Sequence, residues 1–249
     1  MYETGRECSD NQRPARYLGE AFLQRKENTS SLPERSGTHF LINSIASNFP
    51  YSNNVLSLLG DPHNLKEVFS AYSKREEHRI FKTHHQAAYF SSFWNVMTEN
   101  FTIFYIVRDG RDVINSCFHY FNRAGSKSFP VTRSISELLK ISPSSYDFDK
   151  EYSLDISNNM IERWVKHVKG WTEKEGIHII RYESLNMDFE NTIEEINKIL
   201  QSRRGSKRPP LSGVCPRKGV VDDWKNYFSA KDTELYEKIA GEFCKGIGY

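Results

Sequence analysis

The sequence predicts an α/β fold, in which a single domain has a central, largely parallel sheet flanked by helices. Its clearest strand is FTIFYIVRDG (101–110), where the apolar run from Phe101 to Val107 suits a strand buried on both faces, as in a parallel sheet. Strand-like runs also alternate along the chain with segments of helical periodicity. Strands and helices in alternation are typical of an α/β domain.

The other elements are predicted in chain order. Residues 1–30 are polar and only faintly periodic, which predicts a partly ordered N-terminal extension ahead of a domain over 31–249. Short strands are predicted over 79–85 and 177–185, and a Ser-rich stretch over 123–157 predicts loops and short helices. Helical spacing of apolar residues predicts helices over 36–49, 86–97, 111–121, 158–171, 189–200 and 231–244.

Composition argues against several classes of protein. The formal net charge is only +2, whereas a protein that coats nucleic acid normally shows a strongly basic face. Its four cysteines are scattered without a CxxC pair, which favours reduced thiols and argues against a zinc site. The charged N-terminus does not look like a signal peptide, and no run of roughly 18 apolar residues predicts a membrane span. We therefore expect a cytoplasmic protein.

Four groups of polar residues lie at the exits of predicted strands or at the start of a predicted helix. In folds of this class, ligands bind beyond the carboxyl ends of the parallel strands. The groups are therefore expected around one crevice, although they are far apart in sequence. They are residues 35–38, 82–84, 108–112 and 182–183.

The loop ERSGTHF (34–40) offers small residues, consecutive backbone N–H groups and a helix start. Such a loop can bind a phosphate, with help from Arg35 and the hydroxyls of Ser36 and Thr38. An ordinary helix start capped by Ser or Thr is the alternative. The loop is not a Walker A motif, because GxxxxGK[ST] is absent.

Two further segments carry residues suited to catalysis or phosphate binding. Lys82 and His84 lie two residues apart, so on a strand both would face one ligand, and histidine is a natural general base for a hydroxyl. A surface histidine pair at 84–85 is the alternative. Arg108 ends a predicted strand and could form paired hydrogen bonds to a phosphate, or simply an ion pair with a neighbouring Asp.

The segment RKGVVDDWKNYF (217–228) places Arg217, Lys218 and Gly219 side by side. Taken alone, adjacent cations are usually a solvated surface. Together with the groups above, however, they complete a set of motifs.

In these motifs and their order, the chain resembles the cytosolic-type sulfotransferases, which use 3′-phosphoadenosine 5′-phosphosulfate (PAPS). The family carries Pro-Lys-Ser-Gly-Thr-Thr-Trp, then Lys-Thr-His, then Arg with Ser eight residues later, then Tyr-Glu-Asp, and finally Arg-Lys-Gly-x-x-Gly-Asp-Trp-Lys-Asn. The resemblance spans roughly residues 33–240 and implies the P-loop-like fold of that family. The counterparts here, in the same order, are RSGTHF (35–40), KTH (82–84), Arg108 with Ser116, YES (182–184) and RKGVVDDWKN (217–226).

The resemblance implies two sets of cofactor contacts. One set would bind the 3′-phosphate, and it consists of Arg108, Ser116, Arg217, Lys218 and Gly219. The other would bind the 5′-phosphosulfate and the base. Its members are Arg35, Ser36, Gly37, Thr38 and His39 for the phosphosulfate, with Phe40 stacking on adenine and Tyr182 recognising the base.

The implied reaction is transfer of a sulfuryl group from PAPS to a hydroxyl or amine of a small acceptor, which leaves 3′,5′-adenosine bisphosphate (PAP). His84 would remove the acceptor proton, while Arg35 and Lys82 would stabilise charge on the transferring group and the leaving phosphate. No metal ion would be needed, because these cations neutralise the charge that magnesium neutralises in kinases.

The chain departs from the family pattern at several positions on the cofactor side. Arg35 replaces Lys, Glu34 separates it from Pro33, and Asp222 replaces a glycine. The segment KENTSSLP (26–33), where the first buried strand is expected, is polar, and no second aromatic for the adenine is evident between residues 200 and 217. A catalytically weakened PAP-binding relative therefore stays open as an alternative, as does a P-loop phosphotransferase.

Three expectations concern partners. Residues 225–234 are similar to the family's short dimerisation motif, with a plain helix start as the alternative. The basic loop SRRGSKR (202–208) is too short to predict strong nucleic-acid binding. Several aromatic residues could line an acceptor pocket or simply lie in the core, namely Tyr89, Phe90, Phe93, Phe118 and Tyr120.

Overall fold

The fold has a five-stranded parallel sheet at its centre. The computed structural model describes residues 15–19, 35–49, 52–57, 66–67, 77–124, 129–145, 157–201, 205–210 and 218–249. The strand order is β2-β3-β1-β4-β5, and every pairing is parallel. The strands are β1 (Ala15–Gly19), β2 (Ser52–Ser57), β3 (Glu77–Lys82), β4 (Thr102–Val107) and β5 (Ile177–Arg181).

Helices connect the strands and cover both faces of the sheet, as the sequence predicts. They are α1 (Thr38–Asn48), α2 (Trp94–Asn100), α3 (Gly110–Ala124), α4 (Ile135–Leu138), α5 (Met160–Thr172), α6 (Tyr182–Met187), α7 (Phe189–Ile199) and α8 (Ala230–Gly246). Short 3₁₀ helices lie at Ala87–Phe93, Pro143–Ser145 and Asp223–Asn226. The α/β prediction with a parallel sheet is confirmed.

The sequence of β4 is apolar from Ile103 to Val107 because the strand lies between two cores. Its side chains alternate between two hydrophobic cores, one on each face of the sheet. Ile103, Tyr105 and Val107 lie in one core with α2, α3, α5 and α8. Phe104 and Ile106 lie in the other, with α1, α6 and α7. Because successive residues of a strand point to opposite faces, a strand between two cores has no polar face.

The segment expected to be an N-terminal extension supplies a strand of the sheet. Ala15–Gly19 pairs with β3 on one side and β4 on the other, with Tyr17 opposite Ile80 and Thr102. The expected first strand at 26–33 lies outside the described residues. The segment ARYLG has only five residues, including one Arg and one Gly, so its pattern is too weak to identify a strand. Its strand conformation depends instead on pairing with β3 and β4. The domain boundary near residue 31 stays a prediction.

Strand β5 is shorter and more exposed than the sequence predicts. The segment 177–185 was expected to be a buried strand, but β5 ends at Arg181, and Tyr182 begins helix α6. Ile179 remains 47% exposed. In the described sheet, β5 pairs only with β4, so it lacks the second neighbour that buries a central strand.

The aromatic residues considered for an acceptor pocket lie mainly in the core. Phe90 and Phe93 are almost fully buried, Tyr89 and Tyr120 are close to it, and Phe118 packs against the same cluster while partly exposed. Phe90 packs edge-on against Phe93 at 5.8 Å between ring centroids. The interpretation of this set as core is confirmed.

Candidate active site

Polar residues gather at the carboxyl ends of three strands, beside the start of α1. Lys82 is the last residue of β3, Arg108 follows β4 and Tyr182 follows β5. The loop before α1 contacts Arg108 and Tyr182, and the first turn of α1 contacts Lys82. The structure thus brings together the four groups that the sequence places around one crevice.

Gly37 makes the close approach at the centre of this loop. Its φ is 103°, a conformation that side chains with a Cβ rarely adopt, and a Cβ built there would lie 2.2 Å from Cδ2 of Tyr182. Its carbonyl accepts hydrogen bonds from the N–H groups of Phe40 and Leu41. The loop therefore lies directly against the Tyr182 ring, and α1 begins at its end with N–H groups available for an anion.

The hydroxyls of the loop are buried. Ser36 and Thr38 are 7% and 5% exposed, and their oxygens are 3.4 Å apart. Neither hydroxyl caps α1, because its N-cap, Gly37, has no side-chain hydrogen bond. The alternative of an ordinary Ser- or Thr-capped helix is therefore not what the structure shows at this position.

Arg35 joins this loop to helix α3. Its Nε donates to Oγ of Ser116 at 3.0 Å, and its guanidinium lies 5.0 Å from the ring centroid of Tyr120, one turn further along α3. Its carbonyl accepts from Arg108 at 3.3 Å. Arg35 thus contacts Ser116 and Arg108, two of the five residues that the family resemblance assigns to the 3′-phosphate.

Arg108 is a buried cation, 6% exposed. It forms an ion pair of 3.2 Å with Asp112, donates to the carbonyl of Val220 at 2.9 Å, and lies 4.3 Å over the ring of Tyr182. Its Nε is buried and has no hydrogen-bond partner within the part of the chain that the structure describes. An anion at this end of β4 would find a donor already desolvated and held in place.

Asp112, which sequence inspection did not single out, connects α3 to the C-terminal basic segment. It is fully buried and accepts from the N–H groups of Asp222 and Trp224 at 2.9 and 3.0 Å. Burial raises its pKa, while Arg108 and the two backbone donors oppose that shift. Asp112 therefore holds the loop 218–224 against Arg108.

Replacing Asp112 with Ala should lower the free energy of unfolding by about 3–5 kcal/mol, because it removes the only ion-pair partner of the buried Arg108 among the described residues and the acceptor of two N–H groups. Urea denaturation would measure this. The matched control is Glu195→Ala, an exposed acidic residue within α7, which should change stability by about 0.5 kcal/mol or less. Equal effects of the two variants would contradict the role of Asp112.

The basic segment reaches the site at Gly219. Its carbonyl accepts from the Tyr182 hydroxyl and from Nδ2 of Asn186, each at 2.8 Å, and its φ is 65°. Lys218 is 54% exposed, and its Nζ lies 3.2 Å from the buried carboxylate of Asp223. Gly219 thus contacts Tyr182, while Lys218, its neighbour in sequence, pairs with Asp223, and Arg217 is outside the described residues.

Asp222 occupies the position where the family pattern has glycine. Its φ is 66°, in the left-handed region that favours glycine and that Asp tolerates better than most side chains. The loop therefore keeps the glycine-type backbone, and its carboxylate pairs with the exposed Lys225.

The turn after β3 contains the Lys82 and His84 pair. Lys82 is 7% exposed, with its Nζ 3.3 Å from Nε2 of His39 in the first turn of α1. His84 is 4% exposed, and burial, followed by the charge of Lys82, lowers its pKa well below 6.5. A neutral imidazole with a lysine nearby is in the protonation state that a general base requires.

His85 has a different environment, as expected from its opposite direction. It is fully buried, its Nδ1 lies 2.7 Å from the Thr83 hydroxyl, and its ring packs 4.7 Å from that of Tyr89. Burial lowers its pKa to about 4. The surface-pair alternative is wrong for both histidines, because neither is on the surface.

Helix α5 holds this turn through two side chains that sequence inspection did not identify. His167 Nε2 lies 3.3 Å from the carbonyl of His84, and Trp171 Nε1 donates to the carbonyl of His85 at 3.0 Å. A carbonyl only accepts, so His167 carries its proton on Nε2, and its Nδ1 accepts from the Tyr105 hydroxyl at 3.0 Å. The i, i+4 spacing of His and Trp on a predicted helix was the available signal.

Phe40 is buried beneath the loop rather than open to a ligand. It is 7% exposed and stacks on Phe189 at 6.0 Å between ring centroids. The guanidinium of Arg208, from the basic loop, lies 5.2 Å from the Phe40 ring. Its assignment to adenine stacking stays a prediction.

The segment 225–234 runs from the end of the 3₁₀ helix Asp223–Asn226 into the first turns of α8. Ser229 is the N-cap, and it forms a capping box with Asp232. This accounts for the segment as a helix start, and the dimer stays a prediction. Among the described residues no helix is long and apolar enough to cross a membrane, and no group of His, Cys, Asp or Glu is arranged to hold a metal ion.

Comparison with known proteins agrees with these motifs. The family described as sulfotransferase domain matches residues 20–207. Sulfotransferase 1B1 of Mus musculus is 28% identical over 210 residues, which is 68% of this chain and 64% of the relative. Sulfotransferase 1E1 of Rattus norvegicus is 27% identical over 198 residues, which is 66% of this chain and 61% of the relative. The chain thus matches less than two thirds of the length of each.

Solved structures show the same fold. Mouse sulfotransferase SULT7A1, complexed with PAP, has a TM-score of 0.62 at 20% identity, covering 94% of this chain and 85% of that one. The sulfotransferase from Alicyclobacillus acidocaldarius has a TM-score of 0.55 at 11% identity, covering 95% of this chain and 96% of that one. Because the family match extends over residues 20–207 of 249, the chain belongs to the sulfotransferase domain family.

Proposed function

We propose that this protein transfers a sulfuryl group from PAPS to a hydroxyl or amine of a small acceptor. The observation that carries the proposal is the convergence of two sets of residues on one crevice. In the proposed phosphate-binding set, Arg35 contacts Ser116 and Arg108 directly, and Tyr182 connects Arg108 to Gly219. Beside it lies a buried lysine with a neutral histidine two residues away.

The residues present fit the cofactor. The loop at Gly37 packs directly against the Tyr182 ring, and the buried Nε of Arg108 is a donor available to an anion. Bound PAPS would supply the activated sulfuryl group. In our proposal Arg108, Ser116, Lys218 and Gly219, together with Arg217, hold the 3′-phosphate, a group that ATP lacks.

The loop 35–39 would hold the 5′-phosphosulfate through backbone N–H groups, the Ser36 and Thr38 hydroxyls and the His39 ring. Tyr182 contacts both this loop and Gly219, so it would join the two phosphate sites and lie beside the base. Phe40 would contribute an aromatic ring at the adenine, and it is held in place by stacking on Phe189 and by an edge contact with Tyr182.

In the proposed transfer, His84 accepts the proton of the acceptor while the acceptor oxygen or nitrogen bonds to sulfur. The bond from sulfur to the bridging phosphate oxygen breaks, and PAP leaves. Lys82 and Arg35 stabilise the negative charge that develops on the transferring group and on the leaving oxygen. Since these two cations are fixed by protein contacts, no metal ion is needed for charge neutralisation in this proposal.

The proposed setting is the cytoplasm, where the buried Cys117 and Cys244 would stay reduced. A homodimer through 225–234 is a further proposal. It is supported by exposed side chains around the start of α8, including Tyr227 at 37%.

Incubation with [³⁵S]PAPS and a panel of acceptors tests the function. The panel should contain 4-nitrophenol, an alicyclic alcohol and a primary amine, and labelled product should form with at least one of them. Tight PAP binding without transfer to any acceptor, and without release of labelled sulfate to water, would favour the alternative of a catalytically weakened relative.

Lys218→Ala should weaken PAP binding about tenfold or more, because it removes a cation from the proposed 3′-phosphate site. Adenosine 5′-phosphate, which lacks that phosphate, should bind with equal affinity to the wild-type protein and to Lys218→Ala. Lys225→Ala is the matched control, since Lys225 is 57% exposed on the same segment and pairs with Asp222. Calorimetry would measure these affinities for the wild-type protein, Lys218→Ala and Lys225→Ala. An unchanged PAP affinity in Lys218→Ala would remove Lys218 from the site.

A further inference from the structure

His39 has a position that the motif alone does not explain. The family motif has Thr here, whereas this chain places an imidazole in the first turn of α1 with its Nε2 3.3 Å from the Nζ of Lys82. Lys82 is 7% exposed, so its ammonium is largely removed from water. A buried cation requires acceptors, and His39 supplies one of them.

The contact fixes the protonation state of His39. An ammonium group has only donors, so Nε2 of His39 must be the unprotonated nitrogen that accepts, and the ring proton lies on Nδ1. The groups facing His39 agree with a neutral ring, because burial, then Lys82, then Arg35 lower its pKa to about 4. His39 therefore keeps one donor, Nδ1–H, for a ligand.

We propose that His39 is a positioning residue that orients the Lys82 ammonium toward the transferring sulfuryl group. A lysine ammonium is a point charge on a flexible stem with three donors that rotate together. When one N–H is held by His39, the other two take fixed directions. This inference rests on the proposed function, since it assigns Lys82 to the sulfuryl site.

Orientation of Lys82 predicts an effect confined to ligands that carry the sulfuryl group. PAP has no atoms at that site, so its affinity should not depend on His39 beyond the direct contact from Nδ1–H. PAPS carries a sulfuryl group at that site. The ratio of its affinity to that of PAP should therefore depend on whether residue 39 offers a hydrogen-bond acceptor to Lys82. A residue with a merely structural role would change both affinities together.

The test compares His39→Gln with His39→Leu, each in the wild-type and the Lys82→Met backgrounds. The Gln side chain places an acceptor oxygen near the position of Nε2, whereas Leu has similar bulk and no acceptor. Calorimetry at low temperature, with no acceptor substrate present, measures the affinities for PAPS and PAP. His39→Leu should lower the PAPS-to-PAP affinity ratio about tenfold, and His39→Gln should restore it to within about threefold of wild type. In the Lys82→Met background the two variants should not differ.

Two results would overturn the inference. One is a His39→Leu ratio equal to that of wild type, and the other is an effect of His39→Leu that persists when Lys82 is Met. The tautomer gives a readout without any ligand, because ¹⁵N NMR of the folded chain at neutral pH should show His39 protonated on Nδ1, and a proton on Nε2 would contradict the contact. If the wild-type chain bound neither nucleotide, the proposed function itself would fail. A chain that binds both but is indifferent to His39 would contradict this inference alone.

Discussion

Replacing His84 with Ala should lower turnover by about 10²–10⁴-fold, as expected for the loss of a general base. The proton of the acceptor would then have no base to receive it as the bond to sulfur forms. PAP affinity should be unchanged, because His84 lies with Lys82 on the sulfuryl side and not at the proposed 3′-phosphate site. Because burial, and then the charge of Lys82, lower the pKa of His84, we expect the acid limb of the wild-type rate profile to lie below the usual histidine pKa of 6.5.

Transfer of label from [³⁵S]PAPS to the best acceptor of the panel would measure this loss. His178→Ala is the matched control, since His178 is an exposed histidine near the amino end of β5, away from the carboxyl ends of the strands, with its ring centroid 5.6 Å from that of Phe104. It should retain turnover within about twofold. A His84→Ala variant as active as this control would show that another group accepts the proton.

Gly37→Ala should both destabilise the protein and abolish PAP binding. A residue with a Cβ at φ 103° costs about 1–3 kcal/mol, and the added methyl group would meet the Tyr182 ring at 2.2 Å. The ring is held by its hydroxyl on Gly219 and by the Arg108 guanidinium over its face, so it has little freedom to move aside. We expect a loss of about 2–4 kcal/mol in the free energy of unfolding.

Gly170→Ala gives a control for glycine replacement in general. Gly170 lies within α5, and a Cβ there would meet nothing within 4 Å, so the variant should be stabilised by about 0.5–1 kcal/mol. Thermal unfolding and PAP calorimetry on both variants make the comparison. PAP affinity in Gly37→Ala equal to that in Gly170→Ala would show that the loop is not part of the nucleotide site.

Local sequence patterns were sufficient to predict most of the elements. Strand β4 could be predicted because both of its faces meet a core, which leaves an unbroken apolar run. Helices α3, α5 and α7 could be predicted because one face of each is buried, so their apolar residues recur at helical spacing. The order of motifs also predicted which segments meet at the strand ends.

Strand β1 could not be predicted, because what stabilises it is distant in sequence. Its partners, Glu77–Lys82 and Thr102–Val107, are more than fifty residues away, and ARYLG has no alternation of its own. The limits of β5 were missed for a related reason. Tyr182 fits a strand by propensity, but the chain turns into α6 there so that the Tyr182 hydroxyl reaches Gly219.

At the site, sequence patterns identified the residues that would contact a ligand and missed those that hold them. Asp112 was quoted only as the end of a polar group, and His167 only as part of a helix. Both act through backbone groups of distant segments, the N–H groups of Asp222 and Trp224 in one case and the carbonyl of His84 in the other. Such contacts leave no motif, because a backbone group has no side-chain identity to recognise.

The central claim is that this crevice binds a nucleotide with a 3′-phosphate. Calorimetric titration of the purified, folded chain with PAP, and separately with ATP and adenosine 5′-phosphate, tests it without knowledge of the acceptor. The account predicts tight binding of PAP, and binding of the other two weaker by about tenfold or more. Preference for ATP would support a phosphotransferase instead, and no binding of PAP by a folded sample would contradict the account.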